Sequence, residues 1–471
     1  MEIIHVSAEC YPVAKAGGLG DVVGALPKYQ CKAGHIAKVV MPMYKTRFLY
    51  SNDWKVDFKG KTNMGDYFFE YTVIKETQNK LGFDLYLVEI KGLTDREKIY
   101  GYADDTERFT AFQIAVVNWI SQWQHLPDIV HCHDHHTGLI PFMFKNCLAY
   151  RKLQFIATVV TIHNAQYQGW MTWDKSKYLP AWDNWKWGDL DWNRTINPLA
   201  SAVKCAWKVT TVSWSYLNEL RYNSNGLESL FEYEKGKCVG ILNGIDNEVW
   251  DPETDTFINS NYTAAIAMSG KKKNKNILCL QFGLNENSPL IVFIGRLVAE
   301  KAADILPDTI KSVLYGMNEK AAFLILGSGD SNVEWQLNNM NGSYPGYYHA
   351  EIGYDEALSH QMYAGADFLL MPSRIEPCGL NQMYAMRYGT IPMVRSTGGL
   401  QDTVTDMGDK DGFGIRFNHA SVGDIYYSIS RAVNVYEDKK HIAWMRRQMM
   451  LIDHSWESTV EQYLNVYRTL K

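Results

Sequence analysis

Residues 371–400 read MPSRIEPCGLNQMYAMRYGTIPMVRSTGGL. The apolar run Phe368 to Met371 is strand-like and stops at Pro372. A polar loop follows, with one carboxylate, Glu376, and one thiol, Cys378, and Gly379 and Leu380 open an amphipathic helix. A second short strand, Ile391 to Val394, leads to another glycine pair, Gly398 and Gly399. Two strand-to-helix turns in succession direct backbone N–H groups into a crevice. Helix N-termini carry unpaired donors and partial positive charge, so such a crevice holds anions. A carboxylate among groups that attract phosphate needs a different partner, and Glu376 reads as facing the sugar of a nucleotide-sugar donor.

The same strand-then-helix grammar runs through the chain. Ile3 to Ala8, Ile36 to Met41, Asp84 to Glu89, Ile129 to His133, Ala157 to Ile162 and Val209 to Ser213 read as strands of the first half. Leu290 to Ile294, Ala322 to Leu326, Phe368 to Met371 and Ile391 to Val394 read as strands of the second. Apolar strands alternating with helices imply parallel sheets covered on both faces, an α/β class. With 471 residues, two domains are expected. The break is placed just after Asn243-Gly244, giving domains 1–244 and 245–455. The polar stretch 251–276, DPETDTFINSNYTAAIAMSGKKKNKN, reads as linker, and its lysines as a solvated helix face. Two doubly wound sheets bind ligands outside the carboxyl ends of their strands, so the motifs should lie there.

Composition narrows the function. Net charge is −5 with both signs mixed, which gives no support for a nucleic-acid or anionic-membrane partner. The eight cysteines are scattered without a C-x-x-C pair, so neither a zinc site nor a disulfide framework is expected. The N-terminus reads as a strand, and no apolar run approaches the roughly 20 residues that span a bilayer. A cytoplasmic protein is expected.

Four further motifs sit at expected strand ends. KAGGLGD (15–21) offers Gly17 and Gly18 for close backbone approach to a ligand, with Lys15 beside them; an ordinary glycine turn is an equal reading. HCHDHHTG (131–138) places His131, His133 and His135 on one strand face if the strand runs that far. A metal trio is one reading and a hydrogen-bonded crevice rim the preferred one, with Asp134 the most plausible functional residue. TIHNAQYQG (161–169) supplies His163. FIGRLVAEK (293–301) sets Arg296 and Lys301 around a turn, two cations able to neutralise a diphosphate. Six tryptophans between Trp170 and Trp192 are sugar-stacking platforms or, for most, loop packing.

Together with ILNGIDNEVWDP (241–252), GYDEALSH (353–360) and the tail HSWESTVEQYLNVYRTL, these motifs resemble the bacterial glycogen synthases and plant starch synthases over nearly the whole chain. The resemblance implies a GT-B architecture of two Rossmann-like domains facing across a cleft, with helix 456–471 crossing back to the N-terminal domain. It implies retaining transfer of glucose from ADP-glucose to the non-reducing end of glycogen or another α-1,4-glucan, with no metal or other cofactor. Residue by residue, it implies that Lys15, Gly17 and Gly18 face the phosphates and sugar, and that Arg296 and Lys301 hold the diphosphate. Glu376 contacts the glucose, with Cys378, Gly379, Leu380 and Asn381 along it and Asn243 in the substrate site. Tyr354 stacks on adenine, His163 lies near the sugar 6-hydroxyl and Asp134 near the reacting centre. The sequence departs from the family's commonest pattern at Ala16, Gly20, Ala302, Ala303 and Asn381. At Tyr384, many related GT-B enzymes carry a second Glu. Other readings are a related enzyme using UDP-glucose or another acceptor, and a non-catalytic glucan-binding protein.

Overall fold

A computed structural model describes residues 1–470. The chain forms two compact units. The first holds 1–212, 217–241 and the tail from Trp456; the second holds Ser213–Tyr216 and Leu242–Ser455.

In chain order the first unit contains β1 (Glu2–Val6), β2 (Ile36–Pro42), β3 (Trp54–Met64), β4 (Tyr67–Glu76), β5 (Asp84–Glu89), β6 (Ile129–His133) and β7 (Ala157–Ile162). The strands β8 (Asp191–Trp192), β9 (Thr195–Ile196), β10 (Lys208–Thr211) and β11 (Cys238–Gly240) complete it. Nine of these make one sheet in the order β11-β10-β7-β6-β1-β2-β5-β4-β3, with β8 and β9 a separate hairpin. From β11 to β5 every pairing is parallel, and the strand order reverses between β1 and β6. The expected all-parallel sheet is corrected at one edge, where β3 and β4 add antiparallel to β5. β3 alternates outward Lys and Asp with partly covered residues, the pattern of a half-exposed edge ribbon and not of a doubly buried strand.

Helix Gly18–Lys32 buries Val22, Leu26 and Tyr29 on one side. The tail helix Trp456–Arg468 packs Trp456, Val460, Tyr463, Leu464 and Tyr467 into the same cluster, with Ile3, Ile129 and Val159 of the sheet. Those tail positions fall at helical spacing, so a single stripe does the burying.

The second unit carries β12 (Leu290–Ile294), β13 (Ala322–Gly327), β14 (Tyr348–Ile352), β15 (Phe368–Met371), β16 (Ile391–Arg395) and β17 (Ile415–Phe417). The sheet order is β14-β13-β12-β15-β16-β17, all parallel, which is the doubly wound order 3-2-1-4-5-6. Its reversal lies between β12 and β15.

The expected linker is instead integral to this unit. Residues 267–282 form a helix (Ala267–Phe282), and only Lys272 and Lys273 of the lysine run face solvent. Lys271 Nζ donates to the carbonyls of Tyr363, Ala364 and Tyr388 and to Thr390 Oγ1, and burial drives its pKa well down. Lys275 pairs with buried Asp367 at 2.6 Å. Upstream, Asp255 accepts from Tyr388 and lies 2.7 Å from His360 Nδ1. All eight cysteines are free thiols. Among the described residues, no helix is long and apolar enough to cross a membrane.

Candidate active site

Both sheets concentrate the chemistry-bearing residues at the carboxyl ends of the strands beside their reversal points.

In the second unit, β12 runs into Gly295 and Arg296, then a short 3-10 turn, Ala299–Lys301. Beyond β15, the loop carrying Glu376 returns toward that turn, because Arg374 N–H donates to Glu300 O and the Arg374 guanidinium grips Asp304. Glu376 is 7% exposed. Its Oε2 lies 2.5 Å from Lys301 Nζ and accepts from Ser373 Oγ at 2.8 Å. Arg296, by contrast, is solvent-exposed and its guanidinium lies 3.4 Å from Glu300. The two cations expected to act as a pair are therefore differently engaged, one with the buried acid and one at the surface. Ala302 has φ +54, a left-handed conformation costing an L-residue about 1 kcal/mol or more.

The Glu376 loop is locked by close backbone packing. A Cβ at Gly398, whose φ is +44, would stand 2.1 Å from Glu376 O, and one at Gly399 2.0 Å from Cys378 O. Gly379 also has positive φ, and a Cβ there would meet Gln382 Oε1 at 2.5 Å. The glycine pair thus lets two strand-to-helix turns touch. Ser213 Oγ donates to Pro377 O at 2.6 Å. Cys378 is buried, with the Asn243 backbone directed at its sulfur, and burial pushes the thiol up to about 12. Asn243 is buried too, and Leu380 partly so. Asn381 Nδ2 donates to Ile294 O, tying helix Asn381–Arg387 to the end of β12. Tyr384 stacks on Trp250 at 3.9 Å. Tyr354 follows β14 and is 84% exposed.

In the first unit, the turn after β1 is organised by Glu9. Its Oε2 accepts from the N–H groups of Ala16 (2.6 Å) and Gly17 (3.0 Å), while Tyr100 donates to Oε1 at 2.7 Å. Of the two glycines expected to face phosphate, the Gly17 amide is therefore satisfied internally. Lys15 Nζ pairs with Asp21 at 2.6 Å. A Cβ on Gly17 or Gly18 would meet no atom within 4 Å, so no contact within the protein demands glycine at either position.

Strand β6 ends at His133, so His135 is not on its face; His135 opens a 3-10 turn instead. Asp134 between them has φ +55 and is held there by hydrogen bonds. Its N–H donates to Thr161 O, and its Oδ1 accepts from His163 N–H at 2.7 Å. Burial raises the Asp134 carboxyl to about 7, with the Glu9 charge adding to the rise. Burial also lowers His163 to about 3.

The histidine trio that does assemble is His5, His131 and His133, with one ring nitrogen of each within 4.8 Å of the other two. All six nitrogens have hydrogen-bond partners: His5 with His133 and Gln30, His131 with Tyr467 and Thr161, His133 with His5 and His163. No lone pair is left for an ion, so the hydrogen-bonded reading fits better than the metal reading. Of the six tryptophans, Trp170, Trp185 and Trp187 are exposed, whereas Trp173, Trp182 and Trp192 are half-buried.

Sequence reasoning missed Glu9, Ser373 and His5. Glu9 carried a signal, an acid shortly before a glycine-rich turn whose amides need an acceptor. Ser373 and His5 had none.

Comparison with known proteins places these features in context. Residues 2–233 match the starch synthase catalytic domain family and residues 278–434 the glycosyl transferases group 1 family. A glycogen synthase of Flavobacterium johnsoniae is 53% identical over 470 residues, covering 100% of this chain and 99% of its own. A glycogen synthase of Geobacillus thermodenitrificans is 36% identical over 484 residues, covering 100% and 98%. The catalytic domain of starch synthase IV from Arabidopsis thaliana, solved bound to ADP and acarbose, superposes with TM-score 0.89 at 31% identity, covering 100% of this chain and 99% of that one. A sucrose-phosphate synthase from Thermosynechococcus elongatus shares the fold, with TM-score 0.63 at 16% identity over 100% of this chain and 98% of that one.

Proposed function

The chain belongs to the glycogen synthase and starch synthase family of GT-B glycosyltransferases, and from that premise we propose that it moves glucose from ADP-glucose to the non-reducing end of an α-1,4-glucan with retention of configuration. The observation that carries the proposal is the Lys301–Glu376 contact at the reversal point of the second sheet. A buried carboxylate and a cation side by side suit a ligand with a neutral hexose at one end and a diphosphate at the other. The ADP bound in the Arabidopsis starch synthase structure supports an adenine nucleotide as the donor's base and diphosphate.

In this reading Arg296 and Lys301 stabilise charge on the departing diphosphate, the electrostatic term that usually dominates such catalysis. Lys15, with the backbone N–H of Gly18, contributes to the same end. Exposed Tyr354 stacks on the adenine. Glu376 and the turn from Cys378 to Asn381 bind glucose hydroxyls, with Asn243 behind them. His163 accepts from the 6-hydroxyl, and Asp134 fixes His163 through its backbone N–H.

Bond changes balance without a covalent intermediate. The acceptor 4-hydroxyl oxygen bonds to C1 on the face the diphosphate leaves. The C1–O bond breaks toward phosphate, and the hydroxyl proton passes to the departing phosphate oxygen. Glu376 pairs with Lys301 and is not free to attack C1, which favours this route over a double displacement. Trapping a glucosyl adduct on a slowed variant would overturn it. Donor competition is the test of the substrate: unlabelled ADP-glucose should suppress labelled transfer to glycogen far better than UDP-glucose does. The reverse order would move the chain to a different donor.

A further inference from the structure

The buried imidazoles of the first unit form one continuous row with a direction. Gln30 Oε1, which only accepts, lies 2.8 Å from His5 Nε2, so that nitrogen carries the proton. In a neutral ring His5 Nδ1 is then an acceptor, and it faces His133 Nε2 at 3.0 Å. His133 Nε2 therefore donates, and His133 Nδ1 accepts from His163 Nε2 at 3.1 Å. The far side of Gln30 donates from Nε2 to Tyr467 Oη on the tail helix. Tyr467 in turn meets His131 Nδ1 at 2.7 Å, and His131 Nε2 meets Thr161 Oγ1 at 2.6 Å. Neutrality is secured by burial, which lowers His5 to about 4 and His131 and His133 well below the ordinary range. Of the four rings only His163 has exposed surface, at 9%.

We propose that Gln30, His5 and His133 are positioning residues that hold His163 as the Nε2-protonated tautomer, leaving its Nδ1 lone pair as the acceptor for the donor sugar's 6-hydroxyl. The proposal rests on the reading of His163 given under Proposed function. An imidazole free of this row would present an N–H at Nδ1 part of the time and meet the hydroxyl with the wrong group. The tail helix takes part through Tyr467, which orients the Gln30 amide.

The test uses the full chain with ADP-glucose and its 6-deoxy analogue as donors. Gln30→Met keeps volume and removes both ends of the amide. It should lower kcat/KM for ADP-glucose about tenfold more than for the 6-deoxy donor. Val460→Ala, in the same core but outside the row, should affect both donors alike. In protein with 15N-labelled histidine, the His163 signals, assigned by their loss in His163→Ala, should report protonation at Nε2 in the wild type and a mixture in Gln30→Met. Equal losses for both donors in Gln30→Met, or a wild-type His163 protonated at Nδ1, would overturn the proposal. If His163→Ala slows both donors equally, the 6-hydroxyl reading fails and with it the acceptor role, while the nitrogen signals still decide the relay separately. Should Gln30→Met fail to fold, the wild-type signals alone decide it.

Discussion

Lys301 Nζ stands 2.5 Å from Glu376 Oε2, joining the turn after β12 to the loop after β15. The contact has a catalytic consequence. Lys301→Ala removes a cation from the leaving group and leaves the acid without its partner, and turnover should fall on the order of 10²-fold or more. Glu376→Gln should fall at least as far. Because the two act as a unit, the double variant should be little worse than the poorer single one. Steady-state rates of the three variants check this; multiplicative losses would show that the residues act independently.

The two kinds of glycine should separate in experiment. Gly18→Ala adds a methyl where no atom lies within 4 Å, so its thermal unfolding should be close to wild type while the KM for the sugar nucleotide rises. Gly399→Ala drives a methyl to 2.0 Å from Cys378 O and should cost about 1–3 kcal/mol of stability. Calorimetry alongside donor kinetics distinguishes them.

Acid should unfold this protein through its histidines. His5 and His163 titrate near 6.5 when unfolded but at about 4 and about 3 in the fold. Between those limits the unfolded chain binds more protons, so stability falls as pH drops below about 6.5, by up to roughly 1.4 kcal/mol per pH unit for each such group. Asp134 has the opposite sign. Its carboxyl titrates near 3.8 unfolded and at about 7 in the fold, so it costs stability as pH rises from about 4 to 7. Denaturant unfolding across this range should show Asp134→Asn gaining on the wild type as pH rises.

The lysine run shows why part of the fold was not legible in the sequence. A cluster such as KKKNK reads as solvated because nothing in it announces an acceptor. Here Lys271 and Lys275, one turn apart, face carbonyls at helix ends and Asp367, groups that lie about 90 or more residues on. Lys271→Ala should therefore destabilise by about 3 kcal/mol by leaving those carbonyls unsatisfied, whereas exposed Lys273→Ala should change stability by less than about 0.5 kcal/mol. Urea melts of the two variants provide the comparison.

The doubly wound α/β class was legible because central strands such as Ala157–Ile162 and Phe368–Met371 are continuous apolar runs, the signature of burial on both faces. The edge strands β3 and β4 escaped because one face of each is wet and their pairing partner follows by a tight turn. At the candidate site, residues at strand ends could be singled out, since strand ends can be read from sequence. Their partners were harder to read: His5 completes the histidine row only because β1 and β6 lie side by side, whereas Glu9 and Ser373 are near in sequence to Gly17 and Glu376 and meet them through the fold of their own turns.

Incorporation of radiolabelled glucose from ADP-glucose into glycogen by the purified chain, measured beside Glu376→Gln, tests the central claim most directly. The wild type should extend the glucan with α-1,4 linkages, and the variant should retain no more than about a hundredth of that rate. No transfer by a folded wild type, or undiminished transfer by the variant, would contradict the account.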